Sequence, residues 1–379
     1  IANRGKDSAA TLLDANSTLP FNTTNNAWGV VSMNYTMPLA AEYEKPDFAW
    51  AHTYQGLTAA GNSPIATAKF NDGNYLFAAE WGSGTKSGVT NSNLYIDAEN
   101  TGFEGGQYTG NSYCANLLLQ KLNSDNGNIV WNVFTNYGYT SSTNVTTTAD
   151  GGFLLVTDCK AVVSDPTYSA TKLMGIVQSD GTNYDVNVSE PLTADANFTE
   201  NRTAIVKFNT NGKVEWNVVL DDAAWSSADA DAAGNIYLAG SKLLKLNANG
   251  SIAGSLTFSG DASTAKIDNV VYENGTLYIN GRVKKASDDV TLGTSAIDAS
   301  ATYETLFLAS IDAETFETNY LKTFTSVANG AAKPAFVIQN KNAQYLNGIV
   351  YFTGSLNGGL QQDGNTVVSN GDRKSTRLN

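Results

Sequence analysis

Few residues in this sequence combine the types and spacing that catalysis or metal binding needs. The chain has one histidine, His52, and two cysteines, Cys114 and Cys159. A zinc site needs three or four such ligands close together, and a Ser/His/Asp triad would have to use His52 without a GxSxG motif. We therefore interpret His52, which lies beside Trp50 on a predicted strand, as a structural residue and expect no metal site or cofactor. Whether the two cysteines pair stays open, with two unpaired thiols as the default.

Carboxylates are the remaining groups that could carry acid/base chemistry. The segment Asp229–Gly234 matches the start of a calcium loop, DxDxxG, but it lacks the later ligands and the glutamate. Its alignment with Thr148–Gly151 instead identifies Asp231 as the aspartate of a repeated turn. The adjacent pairs Asp221/Asp222 and Asp288/Asp289 would point to opposite faces of a strand, which argues against cooperation. A hydrolase or lyase that uses axial carboxylates such as Asp221 or Asp229 is kept as an alternative.

A set of aromatic and acidic residues could instead bind a ligand without catalysing a reaction. Aromatic rings stack on sugar rings or grip a peptide, and neighbouring carboxylates add polar contacts. The competing interpretation is that these side chains only cap the ends of the core. The candidate binding residues are Tyr137, Tyr139, Trp225, Asp221, Asp222, Trp81 and Tyr113.

Short strands separated by tight turns must position these residues. One turn-and-strand pattern recurs five times, in the segments 72–76, 150–154, 233–237, 274–278 and 347–351. A third strand and a hairpin turn rich in Asn and Gly follow, and Trp131 and Trp216 mark the fourth strand. The segment Ala223–Phe258 is a complete four-stranded unit with almost nothing inserted. Units of about forty residues with this pattern predict the blades of a β-propeller.

The longer repeats hold insertions between their second and third strands, at about 81–113, 157–202 and 282–303. Because consecutive strands run in opposite directions, these connections and the links between blades lie on one face. The other face has only tight turns. The sequence therefore predicts one smooth face and one decorated face, and binding residues usually lie on loops held by a rigid frame.

The overall composition narrows the classes of partner. The net charge is -13, with 23 Lys and Arg residues against 36 Asp and Glu residues. Nucleic acids and anionic membranes need a basic surface, so they are not expected as partners. No apolar run is long enough to span a bilayer. Abundant Asn, Thr, Ser and Gly with few Lys is typical of an exported bacterial protein.

The repeats carry a family resemblance. The strings GNIYLAGS at 234–241, Ala204–Trp216 and DGGFLLV at 150–156 resemble the seven-bladed β-propeller repeats of exported bacterial proteins. The insertion pieces Asp289–Gly293 and Asn365–Gly371 are similar to those of Bacteroidetes surface proteins. The resemblance covers roughly 28–371 and implies the fold and export, to the cell surface, outer membrane or periplasm. It implies no catalytic residues, because such repeats share no catalytic motif.

We therefore predict an all-β protein, a β-propeller over residues 1–371 with about five to six blades of a ring of six to eight. The octapeptide 372–379 resembles a translated sequencing adapter and is predicted to be a non-native tail. The expected blade segments are 1–56, 57–136, 137–222, 223–260, 261–326 and 327–371.

The favoured function is a non-catalytic, exported binding or scaffold module that recognises a glycan or a protein on the decorated face. One alternative is the carbohydrate-active hydrolase or lyase already mentioned. The other is an architectural module of a larger surface protein, whose further domains would then be its partners.

Overall fold

The structure is a computed structural model, and it describes the following residues: 2–5, 29–35, 48–56, 63–81, 92–96, 107–110, 116–163, 165, 168–195, 198–221, 225–327, 335–346, 349–357, 359–362 and 365–368. The chain divides into two compact units, Ile1–Ala223 and Ala224–Asn379. Every regular element of the described residues is a β-strand or a short turn, and all strand pairs are antiparallel. The predicted all-β class is confirmed.

The strands of the first unit are β1 (Ala2–Gly5), β2 (Gly29–Tyr35), β3 (Phe48–Gly56), β4 (Ser63–Lys69), β5 (Tyr75–Trp81), β6 (Ser92–Ile96), β7 (Gln107–Gly110), β8 (Asn116–Leu122), β9 (Ile129–Tyr137), β10 (Tyr139–Thr147), β11 (Phe153–Lys160), β12 (Lys172–Val177), β13 (Asn183–Asn187), β14 (Ala194–Asp195), β15 (Phe198–Thr199), β16 (Arg202–Phe208) and β17 (Val214–Leu220).

The strands of the second unit are β18 (Ser227–Ala230), β19 (Ile236–Ala239), β20 (Lys242–Leu246), β21 (Ile252–Ser259), β22 (Ala262–Glu273), β23 (Thr276–Lys285), β24 (Val290–Leu292), β25 (Ser295–Ile297), β26 (Thr305–Asp312), β27 (Thr318–Val327), β28 (Ala335–Leu346), β29 (Ile349–Asn357), β30 (Gly359–Gln362) and β31 (Asn365–Val368).

The predicted repeat is visible in each sheet as a meander of consecutive strands. The larger sheets, in chain order of their first strands, are sheet 1 (β1-β2-β3-β6-β7), sheet 2 (β4-β5-β8-β9-β12-β13), sheet 3 (β10-β11-β16-β17), sheet 4 (β18-β19-β20-β21-β24-β25) and sheet 5 (β22-β23-β26-β27-β30-β31), with the pair β28-β29 after them. This is the blade topology of a β-propeller, so that prediction is also confirmed. The arrangement of all blades as one domain stays a prediction.

The repeated turns form for the reason that the sequence suggests. Gly73, Gly151, Gly234 and Gly275 all have φ between +81° and +89° in the turn before the second strand of their repeats. This left-handed backbone favours glycine, which has no Cβ to clash with the chain.

Apolar packing between successive sheets builds the cores. In the first unit, Trp131 of sheet 2 stacks on Phe153 of sheet 3 at 5.4 Å, and Phe153 stacks on Phe208 at 4.4 Å. The Trp131 indole also donates a hydrogen bond to the Thr210 carbonyl at 3.0 Å. The predicted packing role of Trp131 is therefore confirmed, and Trp216 is partly exposed. In the second unit, side chains from sheets 4 and 5, such as Leu243 and Phe307, share one cluster.

The insertions lie between second and third strands, as expected, but each joins the sheet of the preceding repeat. The hairpin β6-β7 pairs with β3, β12-β13 with β9, β24-β25 with β21, and β30-β31 with β27. The sequence segments assigned to single repeats therefore differ from the sheets, because each inserted hairpin covers the outer strand of the sheet before it. Burial of an otherwise open strand edge explains this arrangement.

Candidate functional site

We define the insertion end of a sheet as the end at which its second strand finishes and its third strand begins. The opposite end, the turn end, carries the tight Gly and Asn turns. Of the candidate binding residues, those that the structure places at insertion ends are Trp81, Tyr137, Tyr139, Asp221 and Trp225, and it describes some of their side chains.

The two aromatic anchors that the structure describes are not exposed. Tyr137 and Trp225 are each only 2% exposed. The ammonium group of Lys172, on the covering hairpin, lies 4.8 Å from the centre of the Tyr137 ring. The expectation of displayed rings is thus corrected for these two residues: both rings are buried, and strand β12 of the hairpin lies against Tyr137, as in the capping interpretation.

Four of the other candidates are only partly placed or not placed at all. Trp81 ends β5 opposite Asn116, and Tyr139 begins β10 opposite Lys160. Their side chains lie outside the described residues. Tyr113 and Asp222 lie outside them entirely. A binding role for these four residues stays a prediction.

Asp221 is the one candidate that the structure places on the surface. Its side chain is 89% exposed, and Oδ1 lies 3.5 Å from Nε of Arg202. Arg202 also donates from Nη2 to Glu200 Oε1 at 2.9 Å. Two carboxylates thus share one guanidinium, which leaves a local excess of negative charge at the insertion end of sheet 3. Such exposed pairs are weak and contribute little to stability.

His52 and Cys159 have structural surroundings. His52 is 1% exposed, and its Nε2 lies 2.6 Å from the carbonyl oxygen of Gly127. This contact ties β3 to the turn before β9 and confirms the structural interpretation of His52. The buried thiol of Cys159 donates to the Leu173 carbonyl at 3.4 Å, while Cys114 lies outside the described residues. Among the residues that the structure describes, no group of three His, Cys, Asp or Glu side chains could hold a metal ion.

The aspartates of the calcium-like segment accept hydrogen bonds, mostly from backbone N–H groups. Asp231 accepts hydrogen bonds from Asn235 N at 2.8 Å and from the Tyr237 hydroxyl at 3.1 Å, which confirms it as the turn aspartate. Asp229 accepts from Tyr272 N at 2.8 Å and from Ala230 N at 2.9 Å, and so ties β18 to β22. Burial raises the pKa of Asp229 to about 6, although these hydrogen bonds favour its ionised form. Both oxygens are engaged by backbone N–H groups, which suits a structural link better than acid/base catalysis.

Three buried lysines were not identified from the sequence. Lys121, Lys207 and Lys245 occupy equivalent third-strand positions and are each at most 7% exposed. Their ammonium groups reach carboxylates at the turn ends, with shortest distances of 2.6 Å to Asp72, 2.8 Å to Asp150 and 2.6 Å to Glu314. The recurrence of Lys beside the last residue of the strands LLLQKL, AIVKF and LLKL was the available signal. These contacts tie the third strands to neighbouring turns.

A further buried ion pair lies in sheet 5. Arg282 donates from Nε to Asp268 Oδ2 at 2.8 Å and from Nη2 to Asp268 Oδ1 at 3.0 Å, and Asp268 is fully buried. This two-bond geometry links β22 to β23. No pattern in the sequence indicated it, because the two residues belong to different strands and to no repeated motif.

Comparison with known proteins gives a fold-level likeness only. No protein-family model matches the chain, and no curated protein matches it. A member of the DUF4221 family from Bacteroides vulgatus is 10% identical with a TM-score of 0.29, covering 85% of this chain and 92% of that one. The Dos1 propeller is 12% identical with a TM-score of 0.26, covering 66% and 90%. Prolyl oligopeptidase B from Galerina marginata is 11% identical with a TM-score of 0.23, covering 87% and 54%.

Likeness at this level supports no argument about function. The described part of the chain contains no helix with the length and hydrophobicity needed to cross a lipid bilayer. The blade-like sheets with elaborated insertion ends are the arrangement of a binding or scaffold module.

Proposed function

We propose that the protein is a non-catalytic, exported binding module that recognises a protein or glycan ligand at the insertion ends of its sheets. The observation that carries this proposal is the asymmetry of each sheet. Inserted hairpins join the insertion ends of sheets 1, 2, 4 and 5, while tight turns and, in sheets 2, 3 and 4, buried lysines stiffen the opposite ends. A stiff frame with variable segments at one end is suited to recognition.

Of the two ligand classes, a protein is favoured over a glycan. Sugar binding commonly uses exposed aromatic faces, and the rings of Tyr137 and Trp225 are enclosed. Exposed carboxylates such as Asp221 and Asp289 remain available, and they suit basic groups of a polypeptide. Export to the cell surface or periplasm is part of the proposal, supported by the composition and by the resemblance of the repeats.

Binding to glycan and protein arrays tests this proposal. One set of variants removes charge at the insertion ends, with Asp221→Ala and Asp289→Ala. The control set, Asp125→Ala and Glu273→Ala, removes charge at the turn ends. We expect ligand signals that fall by at least about fivefold in the first set only, which corresponds to the loss of roughly 1 kcal/mol. Loss of the signal in the control set would contradict the proposal, and an array without any ligand would favour an architectural role.

A further inference from the structure

The outer strand of sheet 3, β17, differs from the other outer strands. In sheets 1, 2, 4 and 5 the outer strand pairs with a hairpin inserted in the following repeat. Among the described residues, no strand pairs with the outer edge of β17. The reason is in the sequence: the repeat that follows has only Gly240 and Ser241 between β19 and β20, so it has no hairpin to supply.

The registers of sheets 2 and 3 identify equivalent positions on the two outer strands. Trp131 of β9 lies opposite Lys121, and Trp216 of β17 lies opposite Lys207, with a bulge at the same place. Val219 and Leu220 are therefore the equivalents of the third and fourth residues after Trp131.

Those equivalents are the positions at which the hairpin binds in sheet 2. Phe134 and Thr135 pair with Val177 and Ile176 of β12. The inserted hairpins of sheets 1, 4 and 5 also pair with the last residues of their outer strands. The end of β17 is thus equivalent to the segments at which the outer strands of sheets 1, 2, 4 and 5 pair with a hairpin.

Side chains at the paired strand ends differ in burial, since Phe134 is partly exposed and Ser259 is exposed. Thr135 in sheet 2 and Ser326 in sheet 5, both at covered strand ends, are each 2% exposed. At the end of β17, Val218 and Leu220 are partly exposed and Asp221 is 89% exposed. Apolar side chains on an unpaired edge gain contacts when another strand is added.

The first half of β17 is already contacted by the hairpin β12-β13. Gln178 Oε1 accepts from Val214 N at 2.8 Å, and the Tyr184 hydroxyl donates to Asn217 Oδ1 at 2.8 Å. The accessible edge is therefore the segment Val218–Asp221, which is long enough for a short strand.

The charge at the end of β17 indicates which kind of polypeptide segment would bind there. Asp221 and Glu200 share the single guanidinium of Arg202, so the end of β17 carries one more negative than positive charge. The whole chain has a net charge of -13, which disfavours a second copy of itself as the occupant. A basic side chain on an incoming strand would neutralise the excess.

We propose that the edge Val218–Asp221 binds an extended segment of another polypeptide by antiparallel strand addition, with a Lys or Arg of that segment beside Asp221. Backbone hydrogen bonds supply the affinity, and the charge sets the preference. This inference rests on the proposed function, because it specifies the ligand of one insertion end.

Selection from a phage-displayed library of random twelve-residue peptides tests the inference. The baits are the wild-type protein, Val219→Pro, Asp221→Lys and the control Asp125→Lys. Proline removes a backbone donor at the position equivalent to Phe134, which faces the hairpin in sheet 2. Circular dichroism and thermal unfolding of each bait confirm that it is folded.

We expect wild type and the control to enrich the same apolar sequences with a Lys or Arg, and Asp221→Lys to prefer Asp or Glu. The synthetic consensus peptide should lose at least about tenfold in affinity for Val219→Pro, or roughly 1.4 kcal/mol. The inference would be overturned if the peptides bound both variants with the affinity that they have for wild type. It would also be overturned if the wild-type protein self-associated and Val219→Pro abolished that self-association. If the array experiment succeeds while this selection fails, the proposed function stands and the strand-addition inference does not.

Discussion

The third-strand lysines show how single side chains hold each repeat together. Lys207 is buried, yet its ammonium group reaches Asp150 at 2.8 Å and Glu215 at 3.2 Å. Partial burial of Asp150 opposes its ionisation, but hydrogen bonds from Lys207, Thr148 and Gly152 outweigh this effect and lower its pKa. The lysine on β16 thus ties the turn that precedes β11 to β16, the next strand in the sheet.

Replacement of Lys207 tests this role. Lys207→Ala leaves Asp150 without its strongest partner and removes the packed stem, so we expect a loss of about 1.5–3 kcal/mol in the free energy of unfolding. The matched control is Lys213→Ala, because Lys213 pairs with Asp180 at a similar distance, 2.6 Å, on the surface. The control should cost less than about 1 kcal/mol in urea denaturation. Equal losses would show that burial does not set the strength of these pairs.

Ionisation of Asp229 makes the free energy of unfolding depend on pH, and the shifted pKa gives the direction of this dependence. Burial raises its pKa in the folded protein to about 6, above the usual 3.8. Its contribution to stability is therefore full below about pH 3.8 and is lost as the pH rises through 6. Between pH 4.5 and 7.5 we expect wild type to lose about 2 kcal/mol relative to Asp229→Asn.

Urea unfolding of both proteins at the two pH values measures this difference, and shared contributions of other groups cancel. Asp312 supplies a control of opposite sign, because backbone hydrogen bonds from Thr315 and Glu314 lower its pKa. The advantage of wild type over Asp312→Asn should be nearly the same at these two pH values and should shrink only below about pH 4, as the pH falls towards the lowered pKa. An unchanged difference between wild type and Asp229→Asn at the two pH values would refute the assigned role of Asp229.

At the scale of elements, the inserted hairpins are the feature that organises the sheets. Strand β12 comes so close to the link between β9 and β10 that only glycine fits there. Gly138 has φ +89°, and a Cβ on it would lie 2.7 Å from the Leu173 carbonyl oxygen and 2.9 Å from Cys159 Sγ. The hairpin and the outer strand of sheet 2 therefore form one packed unit.

Alanine at two glycines separates this crowding from backbone strain. Gly181, in the turn between β12 and β13, has a similar φ of +81° and open space around it. Gly181→Ala should cost about 1–2 kcal/mol from the left-handed backbone alone. Gly138→Ala should cost about 1–3 kcal/mol more, because the backbone carbonyl of Leu173 must move. Thermal unfolding gives both values, and equal costs would mean that the hairpin is not packed against this link.

The elements themselves could be predicted well from the sequence. Turns such as the one at Gly234 repeat in the chain, and glycine with positive φ precedes the second strand in four of the repeats. The attachment of the hairpins could not be predicted, because it depends on pairing between β12 and β9, which are distant in sequence. The same limit applies to Tyr137, since a tyrosine at a strand end is exposed or buried according to what covers it.

At the scale of the whole molecule, repetition explains both the regular features and the exception. Each repeat with an insertion covers the sheet before it, and the repeat without one leaves β17 uncovered among the described residues. The proposed binding edge is thus a consequence of one short connection, Gly240–Ser241. Of the candidate binding residues, Asp221 lies at that edge and Tyr137 and Trp225 do not, so a binding role for Asp221 stays a prediction.

Hydrogen–deuterium exchange of backbone amides tests the central claim most directly, because it compares equivalent positions in covered and open sheets. The amide of Phe134, beneath the hairpin, should exchange at least about a hundredfold more slowly than that of Val219 at the open edge. The amides of β12 should be protected together with those of β9. Equal protection of Phe134 and Val219 would contradict the account, since it would mean that the hairpin does not cover sheet 2 or that β17 is already paired.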